Sequence, residues 1–126
     1  MDIGFSSSDL LVRLDALADA ELDVLPFGVI GMNPQGNVVV YNSAEAALSG
    51  LTPARVIGRH FFTAVAPCTN NTLVAHPFEA EAVLDRTLDY VFTLRMAPTA
   101  VQLRMLKQPG AARMYLLVRR RPSHVG

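Results

Sequence analysis

The chain has 126 residues, half of them hydrophobic, and its eleven basic residues balance eleven acidic ones. That length supports one compact domain with one core, and the apolar content excludes a disordered chain. Zero net charge supplies no basic field for nucleic acid, and one cysteine excludes an internal disulfide and fits a reducing, cytoplasmic setting.

Met1-Asp2-Ile3-Gly4-Phe5 has no basic n-region and no long apolar stretch after it, so no secretory signal is expected. Ser6-Ser7-Ser8-Asp9 offers helix caps, and Leu10, Leu11, Leu14 and Leu17 then fall on one helical face. A second short helical turn over Ala20–Leu25 stops at Pro26. Residues 24–44 carry no charge, yet Pro26, Gly28, Gly31, Pro34 and Gly36 interrupt them. That run reads as buried strands around a turn, and no membrane insertion is expected.

Phe27–Met32 and Val38–Tyr41 are apolar and β-branched, and Asn33-Pro34-Gln35-Gly36 between them has turn chemistry, which predicts a hairpin. Asn42 caps a helix over Ser43–Ser49 that Gly50 closes. Pro53–Ile57 is another helical turn, ended by Gly58, and Phe61–Asn71 is uncharged and irregular. Thr72–Asp85 reads as a helix with Pro77 near its start. Strands over Thr87–Arg95, Thr99–Lys107 and Ala112–Arg120 complete an antiparallel meander. The order implies an α+β sensor-like domain, its sheet covered on one face by helices with a concave pocket between them.

Three side chains carry candidate chemistry. Glu45 is the only charged residue between Asp23 and Arg55, and a carboxyl buried in so apolar a stretch stays neutral. Tyr41, four residues earlier at the strand-to-helix junction, can share a pocket with it. The competing reading makes Asn42-Ser43-Ala44-Glu45 a capping box, with Glu45 returning to the Asn42 amide and Tyr41 a core tyrosine. Cys68 is the sole thiol. No lysine, arginine or histidine lies within seven residues of it, so it reads either as an inert packed cysteine or as an attachment point. His60, His76 and His124 lack metal-ligand spacing, and no metal is expected.

The runs Leu25-Pro26-Phe27-Gly28-Val29-Ile30, Asn33-Pro34-Gln35-Gly36-Asn37, Tyr41-Asn42-Ser43-Ala44-Glu45, Gly58-Arg59-His60-Phe61-Phe62, Val65-Ala66-Pro67-Cys68-Thr69 and Met96-Ala97-Pro98-Thr99 span nearly the whole chain. Together they resemble the photoactive yellow protein family, blue-light sensors built on the PAS fold. The resemblance implies a five-stranded antiparallel sheet flanked by short helices, with residues 1–25 as an N-terminal helical cap and 26–126 as the PAS core. It implies p-coumaric acid (4-hydroxycinnamic acid) held as a thioester on Cys68. Tyr41 and Glu45 would hydrogen-bond its phenolate, and Ser49 would support Tyr41. Leu51, Phe61, Phe62, Pro67, Tyr90, Phe92 and Met96 would line the pocket. Leu51 stands where a well-studied branch of the family has an arginine, and Leu94 where it has an aromatic residue. The implied function is a signalling module for an unidentified downstream protein, not an enzyme. The alternatives are a PAS ligand-binding or interaction domain without chromophore, and a redox sensor acting through Cys68.

Overall fold

The computed structural model describes residues 3–93 and 98–121. Helices α1 (Leu10–Asp15) and α2 (Asp19–Leu22) precede a hairpin of β1 (Gly28–Met32) and β2 (Val38–Tyr41). Helices α3 (Ser43–Ser49) and α4 (Pro53–Val56) follow, then a π-helical turn at Phe61–Val65, a 3-10 turn at Pro67–Thr69 and α5 (Ala75–Ala80). Strands β3 (Leu84–Phe92), β4 (Thr99–Lys107) and β5 (Met114–Arg120) end the described chain. The five strands form one sheet in the order β2-β1-β5-β4-β3, each pair antiparallel.

The hairpin turn is built as its residues predict. Asn33 Oδ1 accepts from the amides of Gln35 and Asn37, both at 3.0 Å, and Gly36 takes the positive φ of 88° that a side chain resists. Asn42 caps α3 by accepting from the Glu45 amide, and Gly50, at φ 77°, ends it.

Both faces of the sheet are covered, not one. Along β5, Met114, Leu116 and Val118 join one core cluster while Tyr115 and Leu117 join the other. This is the period-two alternation of a strand buried on both sides. The first cluster lies under α3–α5 and the loop carrying Cys68. The second is closed by Phe5, Leu10, Leu11, Leu14 and Leu22 of the N-terminal segment. Polar contacts reinforce this covering. Arg104 donates to the carbonyls of Phe5 at 3.0 Å and Ser7 at 2.8 Å, and pairs with Asp85 through two 2.9 Å bonds. The Tyr115 hydroxyl donates to Asp15 at 2.5 Å.

Two local expectations fail. Asp9 sits at the start of α1 in left-handed backbone and makes no side-chain cap bond, while the Ser7 hydroxyl accepts from the Gly4 amide at 2.8 Å instead. The predicted helix over Thr72–Asp85 shrinks to Ala75–Ala80, and Leu84 and Asp85 already pair with Lys107 and Leu106 in the sheet. Leu84, Leu88, Tyr90 and Phe92 alternate onto the first core cluster. That burial and the long register with β4 override the local helix preference of Glu79–Asp85.

Candidate functional site

The site is assembled on the sheet face under α3. Tyr41 ends β2, buried, and its hydroxyl donates to Ser49 Oγ at 2.7 Å, one α-helix away. Ser49 Oγ also accepts from the Leu51 amide at 3.1 Å, so the end of α3 orients the phenol. Glu45, in the first turn of α3, is only 1% exposed, and its Oε1 has no hydrogen-bond partner. Among the described residues it is the one buried side-chain polar atom left in that condition. Native structures rarely leave such an atom orphaned, so it calls for a missing partner or a function.

Room for that carboxyl comes from Gly28. A Cβ at Gly28 would run into Glu45 Oε1, so any side chain there excludes the observed position of the acid. Burial raises the Glu45 pKa from 4.5 to about 8, which favours the protonated, neutral carboxyl at neutral pH. Tyr41 is also pushed up, chiefly by burial and then by the neighbouring Glu45, while its bond to Ser49 opposes the rise.

The capping-box reading is half right. Asn42 is the cap, but its own amide donates to the Val29 carbonyl at 3.2 Å, not to Glu45. The Glu45 carboxyl is thereby released from capping and left inside. Asn42 is more heavily used than a cap requires. Its Oδ1 accepts from Val29 at 2.8 Å and Glu45 at 3.1 Å, and its Nδ2 donates to the carbonyls of Leu22 at 2.9 Å and Phe27 at 3.0 Å.

Cys68 is a free, half-buried thiol on the 3-10 turn Pro67–Thr69. Thr69 fixes that turn by donating from its amide and its hydroxyl to the Ala66 carbonyl, at 2.9 and 2.7 Å. Cys68 packs against the core cluster that contains Tyr41, Phe61, Phe62 and Phe92, as do Leu51 and Tyr90. Phe61 and Phe62 meet edge to face at 5.3 Å, and Tyr90 and Phe92 at 5.8 Å. Pro67 is exposed at the start of the turn, and Met96 lies outside the described residues. Asn71 was not singled out from the sequence, yet its amide donates to the Cys68 carbonyl at 3.1 Å and to the Tyr90 hydroxyl at 2.6 Å. Its Oδ1 accepts from the amides of Leu73 and Val74, an Asx turn of the kind that an asparagine in an irregular stretch can signal.

The chain thus brings a phenol and a single thiol against one apolar cluster of a five-stranded sheet, with a buried, unpartnered acid four residues beyond the phenol. This is a PAS sensor domain, and the family described as the PAS fold matches residues 13–107. Within that fold the chain belongs to the photoactive yellow protein family. It is 33% identical over 121 residues to the photoactive yellow protein of Rhodothalassium salexigens, covering 94% of this chain and 97% of that one. Identity to the Halochromatium salexigens protein is 37% over 108 residues, covering 83% and 86%. Among solved structures, the photoactive yellow protein domain of the sensor histidine kinase Ppr from Rhodospirillum centenum is 41% identical with a TM-score of 0.80. It covers 87% of this chain and 99% of that domain. No helix among the described residues is long and apolar enough to cross a membrane.

Proposed function

We propose that this chain is a blue-light receptor module that carries p-coumaric acid as a thioester on Cys68. The observation that supports it best is the buried, unpartnered Oε1 of Glu45, an atom that a phenolate oxygen would satisfy. The donor set fits the group: a thiol to hold one end, and a phenol and a neutral carboxylic acid for the other. When bound, the chromophore absorbs blue light as its phenolate and isomerises about its double bond.

The chain's residues then have distinct tasks. Tyr41 and Glu45 donate hydrogen bonds that make a buried phenolate affordable and hold it ionised. Ser49 orients Tyr41 by accepting its phenol proton, and once a ligand phenolate takes that proton's bond the Ser49 hydroxyl can turn and donate to the Tyr41 oxygen. The Cys68 amide would hydrogen-bond the thioester carbonyl, and Leu51, Phe61, Phe62, Tyr90 and Phe92 would keep water from the ligand. Glu45 holds a proton at its carboxyl and can release it to the phenolate. The carboxylate left behind is then a charge in an apolar site, and its desolvation cost favours opening of the structure. The role is signalling rather than catalysis, towards a downstream signalling protein, in the cytoplasm.

Reconstitution with activated p-coumarate tests this. The intact mass should rise by one p-coumaroyl group and a blue absorption band should appear, with neither in Cys68→Ala. No adduct on the parent chain, or pigment retained by Cys68→Ala, would overturn the proposal.

A further inference from the structure

We propose that Tyr90 and Asn71 are positioning residues that lock the Cys68 carbonyl and thereby set the aim and exposure of the Cys68 thiol. The inference rests on Cys68 being the attachment point and adds what holds it there.

Three groups close a triangle. The Tyr90 hydroxyl donates to the Cys68 carbonyl at 2.6 Å. The Asn71 amide nitrogen donates one hydrogen to the same carbonyl at 3.1 Å and the other to the Tyr90 oxygen at 2.6 Å. Asn71 is held in its turn, its Oδ1 accepting from the amides of Leu73 at 3.0 Å and Val74 at 3.1 Å. Tyr90 belongs to β3, where it pairs with Val101 of β4. The triangle therefore fastens an irregular turn to the rigid sheet.

The geometry has two chemical consequences. A peptide carbonyl held from two directions fixes the plane of the backbone at residue 68, and with it the Cα–Cβ direction that carries sulfur. Reactions at a positioned nucleophile are sensitive to such aim. Second, the Tyr90 hydroxyl is already committed, so Tyr90 offers a ligand its ring, braced edge to face by Phe92 at 5.8 Å. The polar recognition of a ligand then falls to Tyr41 and Glu45, whose unpartnered Oε1 is independent of the lock.

The test uses the full chain without chromophore and three variants. Tyr90→Phe keeps the ring and deletes the hydroxyl. Asn71→Asp keeps the acceptor for Leu73 and Val74 but deletes the two donor hydrogens. The third variant combines them. The rate at which an aryl disulfide reagent consumes the Cys68 thiol should rise about 3- to 10-fold in each single variant, the factor a net hydrogen bond corresponds to. The combined variant should add little, because the three groups act as a unit. Acylation by activated p-coumarate should slow in the same proteins, because access grows while aim is lost. A merely structural role would move both rates in one direction, together with the thermal midpoint. Reagent rates equal to the parent in folded Tyr90→Phe and Asn71→Asp would overturn the lock. If the parent takes up no p-coumarate while its reagent rate still responds to the variants, the receptor reading falls and the lock stands.

Discussion

The side-chain amide of Asn42 donates to the Leu22 carbonyl at 2.9 Å, joining the helix that bears Glu45 to the last turn of the N-terminal segment. The same side chain accepts from the Glu45 amide. One buried asparagine thus touches both the acid at the site and the covering on the opposite face of the sheet.

Asn42→Ala removes partners from four backbone groups at once: the amides of Val29 and Glu45 and the carbonyls of Leu22 and Phe27. The loss of a helix cap and of buried hydrogen bonds should destabilise the chain by about 3 kcal/mol or more. Urea denaturation measures it, and a loss within the range of an ordinary surface substitution would refute the account.

Glu45 predicts a pH dependence of stability in the chain without chromophore. Its folded pKa is raised from 4.5 to about 8, so between those values the folded state binds a proton that the unfolded state has released. The stabilisation of the protonated form is fully present below about 4.5 and is lost as pH rises towards about 8. The contribution of Glu45 should therefore fall by at most roughly 1.4 kcal/mol per pH unit in that window. Glu45→Gln should flatten this slope, since an amide does not titrate there. Denaturation at a series of pH values checks it, and equal slopes in parent and variant would place the Glu45 carboxyl in water.

Gly28→Ala is a one-methyl change with a specific victim. The added Cβ would overlap Glu45 Oε1, so the carboxyl must move or α3 must shift. Overpacking of this kind costs about 1–3 kcal/mol. In pigment-loaded protein the absorption band should also move, because one phenolate partner is displaced. An unshifted band with unchanged stability would show that the carboxyl does not depend on Gly28 for its place.

Much of this was legible in the sequence where chemistry is local. Asn33 and Gly36 announce the hairpin turn, and Asn42 and Gly50 bracket α3 at its observed ends. Local reading failed where distant partners decide. Whether Glu45 closes a capping box depends on the Asn42 amide, and Val29, thirteen residues upstream, takes it. The start of β3 at Leu84 is set by pairing with Lys107 across the sheet, against a helix-favouring sequence. The triangle on Cys68 joins residues 68, 71 and 90, and no spacing rule connects a turn to the middle of a later strand. The second covered face was hidden for the same reason. Met114–Val118 of β5 read as an unbroken apolar run, and only the sheet's place in the fold shows that Tyr115 and Leu117 need the N-terminal segment above them.

Light should loosen residues 3–25 before it loosens the central strands. A carboxylate at Glu45 would push the first turn of α3 towards water, and that turn is bonded directly to the N-terminal segment. Asn42 holds the Leu22 carbonyl at 2.9 Å, and Asp23 Oδ1 accepts from the Ser43 amide at 3.0 Å. The ends of the segment are not equally held. Arg104 grips the carbonyls of Phe5 and Ser7 from β4, while Leu22 and Asp23, beside the packing of the Leu22 side chain, are bonded to Asn42 and Ser43 at the start of α3. Opening is therefore expected to start around α2 and then spread towards residue 3, in a region whose short helices place it at the low-stability end of the molecule. Hydrogen exchange of pigment-loaded protein under steady blue light should rise first and most at residues 19–25, with β4 and β5 little changed. Asn42→Ala should weaken the difference between dark and light at residues 19–25 by cutting the link. Identical exchange at those residues in dark and light, in protein with a demonstrated photocycle, would rule out this route and direct attention to the sheet.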